Sequence, residues 1–92
     1  MLAAVMRWNA ALNAERQRAL AQAIGEPNRN AADQIAELIA DLGQPATLRS
    51  FHIKREDLET IAQRALDYPN LRANPRSVTS TVQVREILEL AW

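Results

Sequence analysis

The sequence predicts an all-α fold of about five helices in a small bundle, on the strength of three observations. Apolar residues recur at helical spacing along most of the chain, and no stretch alternates with the period of two that marks a strand. The periodic stretches are punctuated by helix signals, with Asn or Ser at starts and Gly or Pro after ends. Aromatic residues are only 4% of a chain that is 48% hydrophobic, so the core must be built from Leu, Ile, Val and Ala. Ala forms helix best while burying little area. At 92 residues the chain fits one domain, 1–92, with a core thin enough to be marginal unless other surfaces cover its apolar faces.

The first helical stretch, 2–9, places Leu2, Val5, Met6 and Asn9 on one face. No capping residue precedes it, which leads to the expectation of a helix cut in its middle. Asn13 offers a new N-cap, with Glu15 placed to complement the helix dipole. Leu12, Ala19, Leu20, Ala23 and Ile24 then predict an inward face. Gly25 supplies the left-handed residue that ends the helix, and Pro27 prevents its resumption. Asn30 caps the third helix, whose Ile35, Leu38, Ile39 and Leu42 follow the amphipathic rule and which Gly43 and Pro45 close.

The segment 44–53 is a connector with a short turn of helix at 47–51, closed by His52, a residue type that tolerates positive φ. The fourth helix is expected over 55–67, with Leu58, Ile61, Ala62, Ala65 and Leu66 inward and Pro69 after it. An extended loop over 70–79 holds Asn74-Pro75-Arg76. Ser80 and Gln83 make a capping-box pattern for the last helix, which buries Val84, Ile87, Leu88 and Ala91.

Charge and composition exclude several function classes. Eleven basic and eleven acidic residues are spread evenly, leaving no basic tract to follow a phosphate backbone, so no nucleic-acid partner is expected. With no cysteine, disulfides, thiolate metal sites and a Cys nucleophile are ruled out. No apolar run approaches the roughly 20 residues of a membrane span and no signal-peptide layout opens the chain, so neither a membrane partner nor export is expected; a cytoplasmic location is the default.

Few residues are candidates for chemistry. His52 is the single histidine and has no carboxylate at ligand spacing, so a turn-closing role explains it better than metal ligation. Glu56, Asp57 and Glu59 form a carboxylate cluster that dipole complementarity in a first helical turn already accounts for. There is no glycine-rich phosphate loop, since Gly25 and Gly43 both stand at helix ends, and no Ser-His-Asp set. Asn74-Pro75-Arg76 is the sharper feature. Pro75 pushes Asn74 toward an extended backbone, and two strong hydrogen-bonding side chains bracket a rigid turn. It reads either as a loop tied to neighbouring backbone or as part of a ligand-cleft wall.

The order of these pieces carries a family resemblance. Asn74-Pro75-Arg76, Thr79-Ser80, Val84-Arg85-Glu86-Ile87-Leu88 and the terminal Ala91-Trp92 resemble the C-terminus of iron-containing alcohol dehydrogenases and the related maleylacetate reductases. Leu42-Gly43, Pro45, Leu48-Arg49 and Ile53-Lys54-Arg55-Glu56-Asp57-Leu58 resemble the stretch between that family's middle helices, and Val5-Met6-Arg7-Trp8-Asn9 resembles the helix entering its helical domain. The resemblance spans essentially the whole chain.

It implies that the chain is the C-terminal part of a dehydroquinate synthase-like helical domain. The parent enzyme would bind NAD(P) in an α/β domain and a divalent metal, iron or zinc, through one Asp and three His. Those ligands precede the matched region, so the chain alone is expected to be non-catalytic and to hold no cofactor. His52 falls where relatives usually have Gly, and Ala3-Ala4 where many have Pro-His. The resemblance also offers Asn70, Asn74 and Arg76 as cleft-wall or loop-anchoring residues. A truncated oxidoreductase of this kind predicts an exposed apolar helical face prone to self-association. The alternative is a free-standing helical module that binds a protein partner through an apolar groove.

Overall fold

The computed structural model describes residues 1–92 and contains four α-helices: α1 (Leu2–Ile24), α2 (Ala31–Asp41), α3 (Asp57–Ala65) and α4 (Thr81–Ala91). Single 3-10 turns lie at Leu48–Phe51 and Pro69–Leu71. There are no strands. The bundle measures 39 × 29 × 16 Å along its principal axes, and that flatness leaves only 14 of 92 residues buried.

The two helices expected over 2–24 are one, bent at Asn13, whose φ of −123° and ψ of 29° leave the helical region. Asn13 marks the break but caps no new helix. Its Oδ1 accepts the Gln17 side-chain amide at 2.8 Å, and the same amide donates to the Met6 carbonyl at 2.6 Å. One side chain therefore spans the bend, tying the turn before it to the turn after it. The helix ends as its glycine dictates: Gly25 sits at φ 106°, and the Glu26 amide donates to the Ala21 carbonyl in a Schellman closure. Asn30 starts α2 with its side chain accepting from the backbone amides of Ala32 and Asp33.

The faces of these two helices depart from expectation. Leu12, Ala19, Leu20, Ala23 and Ile24 are all exposed, and the buried residue is Ala21. On α2, Ile35 and Ile39 of the expected face are half-buried but Leu38 and Leu42 are exposed, while Ala31, Ala32 and Gln34 are buried. The cause is steric. The α1–α2 contact is made by alanines, whose short side chains let the backbones approach closely, and the leucine stripes are turned away from it. Gln34 locks the corner by donating to the carbonyls of Glu26 and Arg29.

Helices α3 and α4 form the main core with the first half of α1. Leu58 and Ala62 of α3 are fully buried, together with Ala4, Trp8 and Val78. All four residues expected to point inward from α4 do so: Val84, Ile87, Leu88 and Ala91. The capping box is present with a shifted return arm. Ser80 Oγ accepts the Gln83 amide at 3.3 Å, but Gln83 Oε1 reaches the amide of Thr79, not that of Ser80. Helix α3 is shorter than the expected 55–67 because the flanking residues adopt turns, Asp57 Oδ2 accepting the Lys54 amide at 2.9 Å. His52 closes the preceding 3-10 turn at φ 63°, the role its residue type suggested. Trp92 fastens the connector to α4: its Nε1 donates to the Ile53 carbonyl at 3.2 Å, and the guanidinium groups of Arg49 and Arg55 lie over its ring at 4.9 and 4.3 Å.

Candidate functional site

The Asn74-Pro75-Arg76 segment is held to the first half of α1 by side chains that satisfy one another. Asn9 lies on the same helical stripe as Val5, so folding buries its amide to 7% exposure, and a buried amide requires partners. Asn74 provides them. Asn9 Nδ2 donates to Asn74 Oδ1 at 3.0 Å, and Asn74 Nδ2 donates back to Asn9 Oδ1 at 2.6 Å. The same Asn74 nitrogen donates to the Arg76 carbonyl at 2.7 Å, closing the turn around Pro75.

Arg76 makes the second attachment. Its guanidinium lies 3.6 Å from the centre of the Trp8 ring, and its Nη1 donates to the Trp8 carbonyl at 3.0 Å. The planar guanidinium thus stacks on the ring while reaching the backbone of the same residue, a combination that Lys cannot reproduce.

Upstream of this anchor the chain borders an apolar cavity of about 560 Å³. Val78, Val84, Ile87 and Leu88 are buried and form its floor. Val5 of α1, Leu48 and Ile53 of the connector, and Ile61 and Ala65 of α3 form its sides. Tyr68, Asn70 and Leu71 border it from the turn after α3, which is 3-10 and not the extended loop expected there. Met1 also lines the cavity, no Asp, Glu, Lys, Arg or His side chain does, and the polar side-chain groups are the Asn70 and Asn74 amides and the Tyr68 hydroxyl.

The three residues singled out from the sequence therefore fall into two groups. Asn74 and Arg76 have their side chains committed to α1. Asn70 is exposed at the edge of the cavity, with its amide free of partners in the chain. Sequence reasoning missed Asn9 and Trp8 as the receiving half of the anchor. The signal was present for Asn9, an amide standing in an otherwise apolar helical stripe.

This chain's own side chains do not fit a metal. No three His, Cys, Asp or Glu residues come together, and His52 lies exposed on its turn.

Comparison with known proteins gives one family. The model described as "Fe-containing alcohol dehydrogenase family, C-terminal" matches residues 1–92. Lactaldehyde reductases of Escherichia coli strain K12 and of Escherichia coli O157:H7 are each 35% identical over 101 aligned residues, covering all of this chain and 26% of theirs. The chain thus spans about a quarter of the length of the curated relatives it matches. No solved structure matches.

Proposed function

The chain belongs to the Fe-containing alcohol dehydrogenase family, as its C-terminal domain, and from that premise we propose that it forms the substrate-side wall of a metal-dependent, NAD(P)-linked alcohol or aldehyde oxidoreductase. In this reading 1–92 is a single helical subdomain of a larger two-domain enzyme. The metal and nucleotide are held by other parts of that enzyme, and the chain contributes shape and exclusion of water.

The observation that carries the reading is the apolar cavity lined by no charged side chain and bordered by the amide of Asn70 and the hydroxyl of Tyr68. Small-molecule sites combine a concave apolar surface with a few placed polar groups, and this cavity has that makeup. Asn74 and Arg76 act one step back, as anchors that fix the turn bearing Asn70 against α1. With its apolar walls, the cavity would lower the dielectric around a substrate and strengthen every polar contact made at the edge.

A chimera tests the proposal. This chain would replace the matching last quarter of Escherichia coli lactaldehyde reductase, and NAD(P)H-dependent aldehyde reduction would be measured. Retained turnover, with KM altered by Asn70→Ala more than kcat, is the expected result. A soluble chimera that binds metal and nucleotide normally, but whose KM ignores changes at Asn70 and Leu71, would refute the wall assignment.

A further inference from the structure

We propose that residues 44–53 of the connector form a hinged side wall of the cavity, and that Trp92 is the latch that holds this wall shut. The proposal goes beyond the substrate-wall reading and does not depend on what the cavity takes.

Three observations support it. First, the wall is held mostly by itself. Its Ser50 and His52 amides donate to the Thr47 and Arg49 carbonyls, and the Thr47 and Ser50 hydroxyls pair at 2.8 Å. Between Pro45 and Ile53, the one hydrogen bond to a distant part of the fold is that from Trp92 Nε1 to the Ile53 carbonyl, at 3.2 Å. The other holds are Arg49 over the Trp92 ring, 4.9 Å from its centre, and the packing of Leu48 and Ile53 on the core. Leu48 and Ile53 are only half-buried and border the cavity, so each lacks packing partners on that side. Second, the other half of the latch is fixed. Trp92 follows Ala91, which is buried at the end of α4. Arg55 lies over the same ring at 4.3 Å and pairs through Nη2 with Glu89 of α4 at 3.2 Å, pinning the chain just beyond the wall. Third, both ends of the wall suit a hinge, since such motions are absorbed by a few residues at element ends. Gly43 stands at φ 73° with open space where a side chain would lie, so its backbone turns without a clash. At the other end, Asp57 Oδ2 accepts the Lys54 amide at 2.9 Å and fixes where the turn into α3 begins. Opening therefore breaks one hydrogen bond and one stacking contact and uncovers Leu48 and Ile53, while α1, α3 and α4 stay packed. The cavity widens and its floor at Val84, Ile87 and Leu88 is laid open.

The test is exchange of the Trp92 indole N–H with solvent, followed by NMR on the 92-residue chain over a range of low urea concentrations. The backbone amides of Trp8 and Ala62, buried in α1 and α3, report global unfolding. The expected result is Trp92 exchange through an opening that is easier than global unfolding and nearly independent of urea. Arg49→Ala removes the stack on the moving side, so it should speed exchange at Trp92 about two- to five-fold and leave Trp8 and Ala62 unchanged. Trp92→Phe keeps a ring but loses the donor, so the open population should rise about three- to ten-fold. That rise is read as stronger relaxation of the Val84, Ile87 and Leu88 methyls by the neutral nitroxide TEMPOL, and Arg49→Ala should show the same change in smaller measure. Trp92 exchange that tracks Trp8 and Ala62 at every urea concentration would overturn the proposal, because the latch would then open only when the whole fold does. Faster indole exchange in Arg49→Ala, with floor methyls no more accessible in either variant, would also overturn it, since Trp92 would then fray while the wall stays in place.

Discussion

Replacing Asn74 with Ala should cost far more than its half-buried position suggests, because the damage falls on Asn9. The substitution removes both hydrogen bonds of the reciprocal amide pair and the bond to the Arg76 carbonyl. Asn9 is 7% exposed, so its Nδ2 and Oδ1 are left in the interior without partners. An unsatisfied buried polar group costs about 1–3 kcal/mol. The space vacated by Asn74 admits some water, which argues for about 1 kcal/mol at each Asn9 atom and about 0.5–1 kcal/mol for the Arg76 carbonyl. The total is about 2.5–3 kcal/mol, which for a domain of this size lowers Tm by roughly 10–25 °C.

Urea unfolding followed by circular dichroism and by the fluorescence of Trp8 and Trp92 measures this directly. A double-mutant cycle isolates the pair. Asn9→Ala alone should cost about 2 kcal/mol, while the double variant should be little worse than Asn74→Ala, giving a coupling of at least about 1.5 kcal/mol. Additive losses, or an Asn74→Ala cost below about 0.5 kcal/mol, would show that the amide pair does not hold the turn and would refute the reasoning.

Four further outcomes follow from particular contacts. Arg76→Ala should cost about 1–2 kcal/mol and shift the Trp8 emission, and Arg76→Lys should recover little because the stacked plane is lost; denaturation with fluorescence detection checks both. His52→Gly should stabilise the chain by about 0.5–1 kcal/mol by relieving a left-handed residue at φ 63°, and His52→Val should destabilise it, as read from urea midpoints. Hydrogen bonding and attraction from the Arg29 guanidinium hold the Glu37 carboxyl below its ordinary value of 4.5. A depressed acid stabilises the fold above its unfolded pKa and stops doing so as pH falls through the folded one. Stability should therefore decline on acidification below about pH 4.5, with a small, salt-sensitive part removed by Arg29→Gln in acid-unfolding curves. Leu38 and Leu42 are 53% and 67% exposed, so sedimentation velocity should show concentration-dependent self-association that Leu38→Glu with Leu42→Glu abolishes.

What could be read in the sequence depended on how local the governing physics is. Caps and stops were legible because each is decided within one turn of chain: Asn30 over Ala32 and Asp33, Gly25 and Gly43 at positive φ, Ser80 over Gln83, His52 closing its 3-10 turn. The inward face of α4 was legible because Val84, Ile87, Leu88 and Ala91 have no competing stripe. Where two faces competed, periodicity named the apolar one but could not say which neighbour would cover it. The Leu12, Leu20 and Ile24 stripe is apolar as expected, yet α2 docks on the other side through Ala21, Ala31 and Ala32.

The same distinction separates the site residues. Asn74 and Arg76 were visible as strong donors around a rigid proline, but their partners Asn9 and Trp8 stand some 65 and 68 positions away, and only the fold brings them together. Asn70 has no motif of its own. The fold brings it beside apolar residues of α3, α4 and the connector, so an unremarkable amide comes to stand with Tyr68 on the border of an apolar cavity. A residue of that kind is defined by surroundings distant in the chain, and no local pattern in the sequence records them. A test of Asn70 therefore belongs at the cavity, in ligand binding, more than in loss of stability on replacing it.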